Sequence, residues 1–296
     1  MQPQGRPSED MKHPSKNADD EFAAADAAAA APRALPEKQN KRYGYRFIKR
    51  AFDIFSSGLA LLLLSPLLAA ILLVKWLEDA GAPAYRLSVT RASSPDAPLA
   101  RRAKRFVSRD GTVYDCVLLP RKLEKGEKRP SGAPVYASDR VGMGGKIFRF
   151  YKIRSMCPGA EEMKQQLIDA GLNEADLPAF KMKDDPRITP FGRVLRKLSL
   201  DELPQLFNVL RGDMSVVGPR PPLPAEVRSY TAEQRRRLEV KGGLLCLWQI
   251  CHNRHEMTFE EWVALDLEYI RRRSVLLDLK IVCKGAYMVL FDRSGE

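Results

Sequence analysis

Two adjacent carboxylates, Asp201 and Glu202, lie between clusters of cations. Arg187, Arg193, Arg196 and Lys197 precede them in DPRITPFGRVLRKL, and Arg220 follows in Gly218-Pro219-Arg220-Pro221-Pro222. An acid pair among arginines suits a phosphate-bearing substrate. A carboxylate can act as a nucleophile or hold Mg²⁺, while guanidinium forks bind phosphate oxygens. The prolines around Arg220 fix φ and favour an extended backbone, so its side chain is presented from a stiffened segment. A solvated ion-pair cluster has the same composition, and acidic residues decorate many helix first turns without doing chemistry.

The elements around this pair can be read from local signals. Ser199 followed by Glu202 is a capping-box pattern, predicting a helix that starts there and runs through Leu206, Phe207, Val209 and Leu210 toward Gly212. Asp201 and Glu202 would then sit in its first turn, where free N–H groups and the dipole favour negative charge. VYASDRVGMGGKIFRFYKIRSM predicts two strands joined at Gly142, Gly144 and Gly145. Lys146, Arg149, Lys152 and Arg154 alternate with apolar residues in the second strand. No Walker or Rossmann spacing is present, so the glycines read as a hairpin turn. Lys152 and Arg154 join Arg193, Arg196, Arg220 and Arg254 as candidate phosphate-binding cations. Residues 160–177 read as helical and surface-facing. After Pro224, AEVRSYTAEQRRRLEV reads as a polar helix and KGGLLCLWQI as an apolar strand or loop. Helical patterns follow over 259–270 and 274–291, the last apolar almost all round, as expected of a core helix or one in a membrane interface.

Upstream, residues 1–40 form an alanine- and proline-rich tail with little to build a core, expected to be disordered. Its apolar run starts too far in for a secretory signal. Residues 41–81 comprise a basic flank and IFSSGLALLLLSPLLAAILLV, Ile54 to Val74, without one charge. At 1.5 Å per residue this is about 31 Å of helix, enough to cross a bilayer. Ser65-Pro66 falls near its middle, dividing it into arms of about 17 Å. Cations flank both ends, a pattern that asks for both ends on the cytoplasmic side. A re-entrant hairpin satisfies it; a proline-kinked span is the alternative. Residues 82–133 are a basic insertion in which KRFVSRDGTVYDCVLL, with its Asp110-Gly111 turn, predicts a β-hairpin, and 134–296 form the core.

The net charge of +12 predicts attraction to nucleic acid, nucleotides or an anionic membrane. Only Phe106 and Tyr114 offer stacking among the insertion's charges, which favours lipid headgroups over nucleic acid. The five cysteines include no CxxC pair, indicating reduced thiols in a cytosolic setting. Cys246, Cys251, His252 and His255 cluster, but their spacing matches none of the usual zinc patterns.

The ordered motifs KRAFDI, SPLL, GAPVY, RVGMGGKIFRFYKIRSM, DPRITPFGRVLRKLSLDELPQLFNVLRGDMSVVGPRP and LDLEYIRRRSVLLDLKI together resemble the bacterial sugar transferases, the monotopic polyprenyl-phosphate phosphoglycosyl transferases. The resemblance implies an α+β protein: a re-entrant membrane helical hairpin kinked at Ser65-Pro66, then a mainly helical cytoplasmic catalytic domain with a small β-hairpin and interfacial amphipathic helices. It implies transfer of a phosphosugar from a UDP-sugar to polyprenyl (undecaprenyl) phosphate at the inner membrane, giving a polyprenyl diphosphosugar and UMP. This step initiates exopolysaccharide, capsule, O-antigen or glycoprotein glycan assembly. Asp201 corresponds to the family's nucleophile, Glu202 to its Mg²⁺ ligand, Arg196 to a lipid- or sugar-phosphate ligand and Arg220 to a nucleotide-side ligand. The other partners implied are membrane lipids and no nucleic acid; a homodimer is compatible with the sequence. The chain departs from the family pattern in the 82–133 insertion, and in Gly242-Gly243-Leu244-Leu245-Cys246 and Cys251-His252-Asn253-Arg254 where the family commonly reads PGITG and SGRN. If those loops have lost function, the alternative is a catalytically decayed membrane scaffold for glycan-assembly proteins.

Overall fold

The computed structural model describes residues 43–80, 83–100, 102–122, 133–174, 182–251 and 257–291. Its longest element is α1, Tyr43–Ala80, 38 residues with Pro66 inside. At 1.5 Å per residue this is about 57 Å of helix. Pro66 lacks the N–H that would bond the Leu62 carbonyl, and the Ser65 hydroxyl donates to that carbonyl instead, at 2.8 Å. The Ser-Pro pair thus repairs the ladder it interrupts. The two arms expected on either side of Ser65-Pro66 belong to one helical element.

Both ends of α1 dock on the rest of the protein. Near its N-terminus the Arg50 guanidinium donates to the Val209 and Leu210 carbonyls at 2.6 and 2.7 Å. Asp53 Oδ1 accepts from the Ser215 hydroxyl and the Val216 amide, both at 2.9 Å. Near its C-terminus Ile71 packs with Ile153 and Leu195, and the Thr189 hydroxyl donates to Glu78 at 3.4 Å. Lys75, wholly buried, pairs with Glu78 and Asp79 at 2.7 and 2.9 Å. Between these ends Leu62, Leu63 and Leu67 are exposed.

The insertion forms three antiparallel strands, β1 (Ala84–Arg91), β2 (Lys104–Val107) and β3 (Val113–Arg121), in the order β1-β3-β2. The expected turn joins β2 to β3. Gly111 takes φ +82°, and Asp110 Oδ1 accepts from the Thr112 amide at 3.0 Å. The sheet's inner face packs Leu87 and Cys116 against Cys157, Met163, Leu167 and Leu172. The described part of the 160–177 stretch, to residue 174, is two-sided: Met163, Leu167 and Leu172 are buried against this sheet, while Glu161, Glu162, Gln165, Gln166 and Asp169 face outward as expected. It contains a short helix, α2 (Lys164–Asp169), whose apolar residues are covered by the insertion.

Strands β4 (Val135–Val141) and β5 (Ile147–Ile153) form the predicted hairpin, with Gly144 and Gly145 at positive φ in the turn. Helices α3 (Pro190–Lys197) and α4 (Gln205–Arg211) flank the carboxylate pair. Beyond them β6 (Ser215–Val217) pairs in parallel with β7 (Gly243–Leu245). The stretch after Pro224 is not one polar helix: α5 (Pro224–Ser229) ends at an extended Tyr230, and a 3₁₀ segment follows over Gln234–Glu239. Helix α6 (Phe259–Arg272) opens on a capping box between Thr258 and Glu261, and α7 (Val275–Phe291) follows. Phe148, Phe150, Val209, Met214, Val217, Ile270, Ile281 and Met288 form the main core. Helix α7 belongs to that core on one side, while Leu276, Leu279 and Tyr287 are exposed on the other.

Candidate active site

Helix α3 starts at Thr189, whose hydroxyl accepts from the Gly192 amide at 3.0 Å, with Pro190 as its first residue. A Cβ on Gly192 would lie 1.8 Å from the Ser155 carbonyl oxygen, so only glycine lets the helix sit this close to the end of β5. That approach puts Arg196 Nε 2.9 Å from the Ser155 hydroxyl, which accepts its hydrogen bond.

The predicted capping box does not form. Ser199 is in the left-handed region, φ +53°, and its side chain caps nothing; a 3₁₀ turn spans Leu200–Glu202, and α4 begins only at Gln205. The reason is Pro204, which has no N–H to bond the Leu200 carbonyl and therefore fits a helix's first turn but not its interior. Asp201 and Glu202 thus occupy a tight connection between two helices rather than the first turn of one. Gly212 ends α4 at φ +91°, as its sequence position predicts.

The pair faces cations from three elements. Lys152 on β5 bonds Glu202 Oε1 at 2.7 Å and lies 3.8 Å from Asp201 Oδ2. Arg220 approaches Glu202 Oε1 to 3.8 Å. Arg220 is held by glycines: a Cβ on Gly243 would meet the Gly218 amide nitrogen at 2.0 Å, and one on Gly242 would meet the Pro221 ring at 2.5 Å. The Gly242-Gly243 departure from the family pattern therefore still provides the close crossing that seats the Pro-Arg-Pro segment.

Arg140 completes the group, and sequence reasoning missed it. It donates to the Pro221 carbonyl at 3.0 Å, and its guanidinium lies 5.1 Å from the Phe150 ring centre. Burial beside the Arg220 charge lowers its pKa to about 10. The available signal was hairpin register. Tyr136 pairs with Lys152 and Arg140 with Phe148, so Arg140 and Lys152 share one face.

Burial raises the Asp201 carboxyl above the ordinary carboxylate range; the Glu202 charge adds to this, and Lys152 and Arg196 oppose it. For Glu202 burial pushes the same way, but Lys152 and Arg220 outweigh it and hold its pKa down to about 2. The pair is thereby split into a more basic carboxylate and a permanently ionised one. A buried donor near it, Arg140 Nε, has no hydrogen-bond partner among the described residues. A donor of this kind suits an anion with several acceptor oxygens.

Not every candidate cation is brought to the pair. Arg193 faces Asp184 at 3.4 Å on the surface, and Arg154 Nε donates to the Ala133 carbonyl at 3.0 Å. Arg254, His252 and His255 lie outside the described residues. Of the cysteines near them, Cys246 is buried and its thiol donates to Gln249 Oε1 at 2.9 Å. Among the described residues no three His, Cys, Asp or Glu side chains group as a metal cage. Mg²⁺ does not require one, since it commonly binds through one or two carboxylates plus phosphate oxygens and water, and the ionised Glu202 beside Asp201 fits that mode.

The apolar helix reaches this centre. Leu200, adjacent to Asp201, packs into the cluster formed by Ile71, Leu68 and Leu72 of α1 with Ile153 and Leu195. Comparison with known proteins gives a match to the family model described as bacterial sugar transferase over residues 125–292. The chain is 42% identical over 197 residues to the galactosyl transferase CpsE of Streptococcus agalactiae, covering 66% of this chain and 43% of that protein. It is 38% identical over 201 residues to the undecaprenyl-phosphate galactose phosphotransferase of Salmonella typhimurium, covering 65% and 42%. With the exopolysaccharide production protein ExoY of Sinorhizobium fredii it shares 39% identity over 166 residues, 55% of this chain and 73% of that protein. The match thus spans less than half the length of the first two relatives.

Proposed function

The chain belongs to the bacterial sugar transferase family, and from that premise we propose that it transfers a phosphosugar from a UDP-sugar to a polyprenyl phosphate through a covalent intermediate on Asp201. The observation that carries the proposal is a buried, basic carboxylate among Lys152, Arg196 and Arg220, one residue from a leucine seated against the apolar helix. A soluble nucleotide sugar and a lipid phosphate can both reach such a place.

In the first step an Asp201 carboxylate oxygen forms a bond to the β-phosphorus of the donor. The pyrophosphate P–O bond breaks, and UMP leaves with the electron pair. In the second step an oxygen of the polyprenyl phosphate attacks the same phosphorus, the acyl-phosphate bond breaks, and Asp201 regains its carboxylate. Raised basicity makes Asp201 a better nucleophile than an exposed aspartate, and an acyl phosphate is labile enough to pass its group on. Arg220 and Arg140 are suited to stabilise the charge that builds on the leaving phosphate, and Lys152 and Arg196 to offset the repulsion between the attacking carboxylate and the pyrophosphate. Glu202 is suited to hold Mg²⁺, which when bound supplies charge neutralisation on the pyrophosphate oxygens.

The contacts of α1 support a monotopic seat, and the cations flanking both ends of its uncharged run favour the cytoplasmic face for the body. Arg50 and Asp53 at one end and Ile71 and Glu78 at the other hold the same body, while the leucines between them are exposed. A helix with one end on each side of a bilayer could not make both sets of contacts. The apolar middle therefore dips into the membrane and returns. Two of the relatives carry galactose in their names, so UDP-galactose is the first donor to test. Membrane fractions with UDP-[¹⁴C]galactose and undecaprenyl phosphate should release UMP and form a radiolabelled lipid. Brief reaction without acceptor should leave label on the protein. Asp201→Asn should lose all three signals, and normal turnover by that variant would refute the covalent route.

A further inference from the structure

A cavity of about 530 Å³ opens beside the first turns of α1, away from the residues of the carboxylate pair. Five cations line it: Arg46, Lys49, Arg50, Lys241 and Arg273. Against them stand the lining carboxylates Asp53 and Glu239, and Asp278, which pairs with Lys49 at 2.9 Å. Asp53 Oδ1 is taken by Ser215 and Val216; Glu239 accepts from Arg236 at 3.3 Å through Oε1, while its buried Oε2 has no hydrogen-bond partner among the described residues. Arg50 has both terminal nitrogens on the end of α4, yet the Lys241 ammonium converges on it: each lies 3.3 Å from the position of a Cβ on Gly212. Arg46 and Lys241 form no ion pair within 4 Å among the described residues. Two like charges drawn together over a cavity where five lining cations face two lining carboxylates, with Asp53 and Asp278 engaged elsewhere, leave a place for an anion with several acceptor oxygens.

The cavity's depth narrows the anion's identity. Its α1 residues, Tyr45 to Asp53, come directly before Ile54, where the uncharged run begins. Phe47 on its lining and Phe55, the second residue of the run, are 77% and 72% exposed. Aromatic side chains beside cations at the start of an apolar helix mark the headgroup level of a membrane.

We propose that this cavity binds the phosphate of a membrane lipid, at a site separate from the Asp201 centre. The inference rests on the membrane seat proposed for α1 and is independent of the chemistry at Asp201. The full chain, purified in detergent and stripped of lipid, would be titrated with short-chain phosphatidylglycerol, short-chain phosphatidylcholine, a polyprenyl phosphate and inorganic phosphate. The shift in thermal midpoint is the readout. An acidic lipid phosphate should raise the midpoint well beyond phosphatidylcholine. Arg46→Ala, at an exposed position, and Lys241→Gln, which keeps the side chain's bulk, should each weaken the response about fivefold, while Arg220→Ala should leave it intact. That pattern with phosphatidylglycerol identifies a phospholipid site, and with polyprenyl phosphate alone a carrier-lipid site. An equal response to phosphatidylcholine or to inorganic phosphate, or full-strength binding by both cavity variants, would overturn the proposal. A chain that binds lipid in this way without transferring sugar would refute the catalytic reading and leave this one standing.

Discussion

Asp201 has to be both basic enough to attack phosphorus and ionised enough to begin. Burial and Glu202 raise its pKa, while Lys152 and Arg196 restrain it. Removing Arg196 should let the pKa rise further, so Arg196→Gln is expected to move the acidic limb of the kcat/KM profile to higher pH. An unchanged limb would show that Arg196 does not act on Asp201. Glu202, held to about pH 2, stays ionised across any working range. Because its folded pKa is depressed, its contribution to stability is present above about pH 4.5 and is lost as pH falls toward 2. Arg140 should behave in the opposite sense. A buried guanidinium with an unpartnered Nε beside another arginine adds little to stability. Arg140→Met is therefore expected to keep or raise the thermal midpoint while lowering kcat/KM by about 10- to 100-fold, the usual effect of losing one charge-assisted phosphate contact. Sequence reading singled out Asp201, Glu202, Arg196 and Arg220 because acids and cations close in sequence announce themselves, and Lys152 from the cations that alternate along its strand. Arg140 reaches them only through strand pairing and a fold-back of the Pro221 loop.

Among the elements, α3 and the β6–β7 crossing position the charges. Gly192 and Gly243 stand where a Cβ would overlap backbone atoms at 1.8 and 2.0 Å. Gly192→Ala must push α3 off Ser155 and take Arg196 with it, and should lower stability by about 3 kcal/mol or more while reducing activity. Thermal melts paired with UMP-release assays would show both losses together. Leu167, wholly buried beneath the insertion's sheet, gives the complementary test: Leu167→Ala should cost about 2–5 kcal/mol. A cost near zero would mean that the insertion does not share a core with the catalytic body. Hairpin β4–β5, the Asp110-Gly111 turn and the α4 terminus at Gly212 were all legible, since each depends on neighbours in sequence. The covering of Met163, Leu167 and Leu172 was not, because the strands that bury them come from more than 40 residues upstream.

At the scale of the whole molecule, the decisive feature is that one body holds both ends of α1. With Cys251 and Cys283 replaced by serine, so that only the buried Cys116, Cys157 and Cys246 remain, one cysteine introduced at Tyr43 or at Trp76, both exposed positions near the helix ends, should resist a membrane-impermeant thiol reagent added outside intact cells. Both should react after permeabilisation. Labelling of either from outside would sink the monotopic arrangement. The length and apolarity of the helix could not decide this, since a spanning and a returning helix bury the same side chains in lipid.

What the sequence determined by itself was whatever acts within a few residues: the uncharged run from Ile54 to Val74, the strand alternation, the proline and glycine boundaries, and the acid–arginine composition of the centre. What only the tertiary structure decided was which charges meet. It put Arg193 on the surface with Asp184 and Arg140 in the site, and gathered Arg46, Arg50 and Lys241 around a cavity. The physical reason is that helix and turn propensities are settled by hydrogen bonds over three or four residues, whereas the field at a buried carboxylate is summed over side chains that only the closed core brings together.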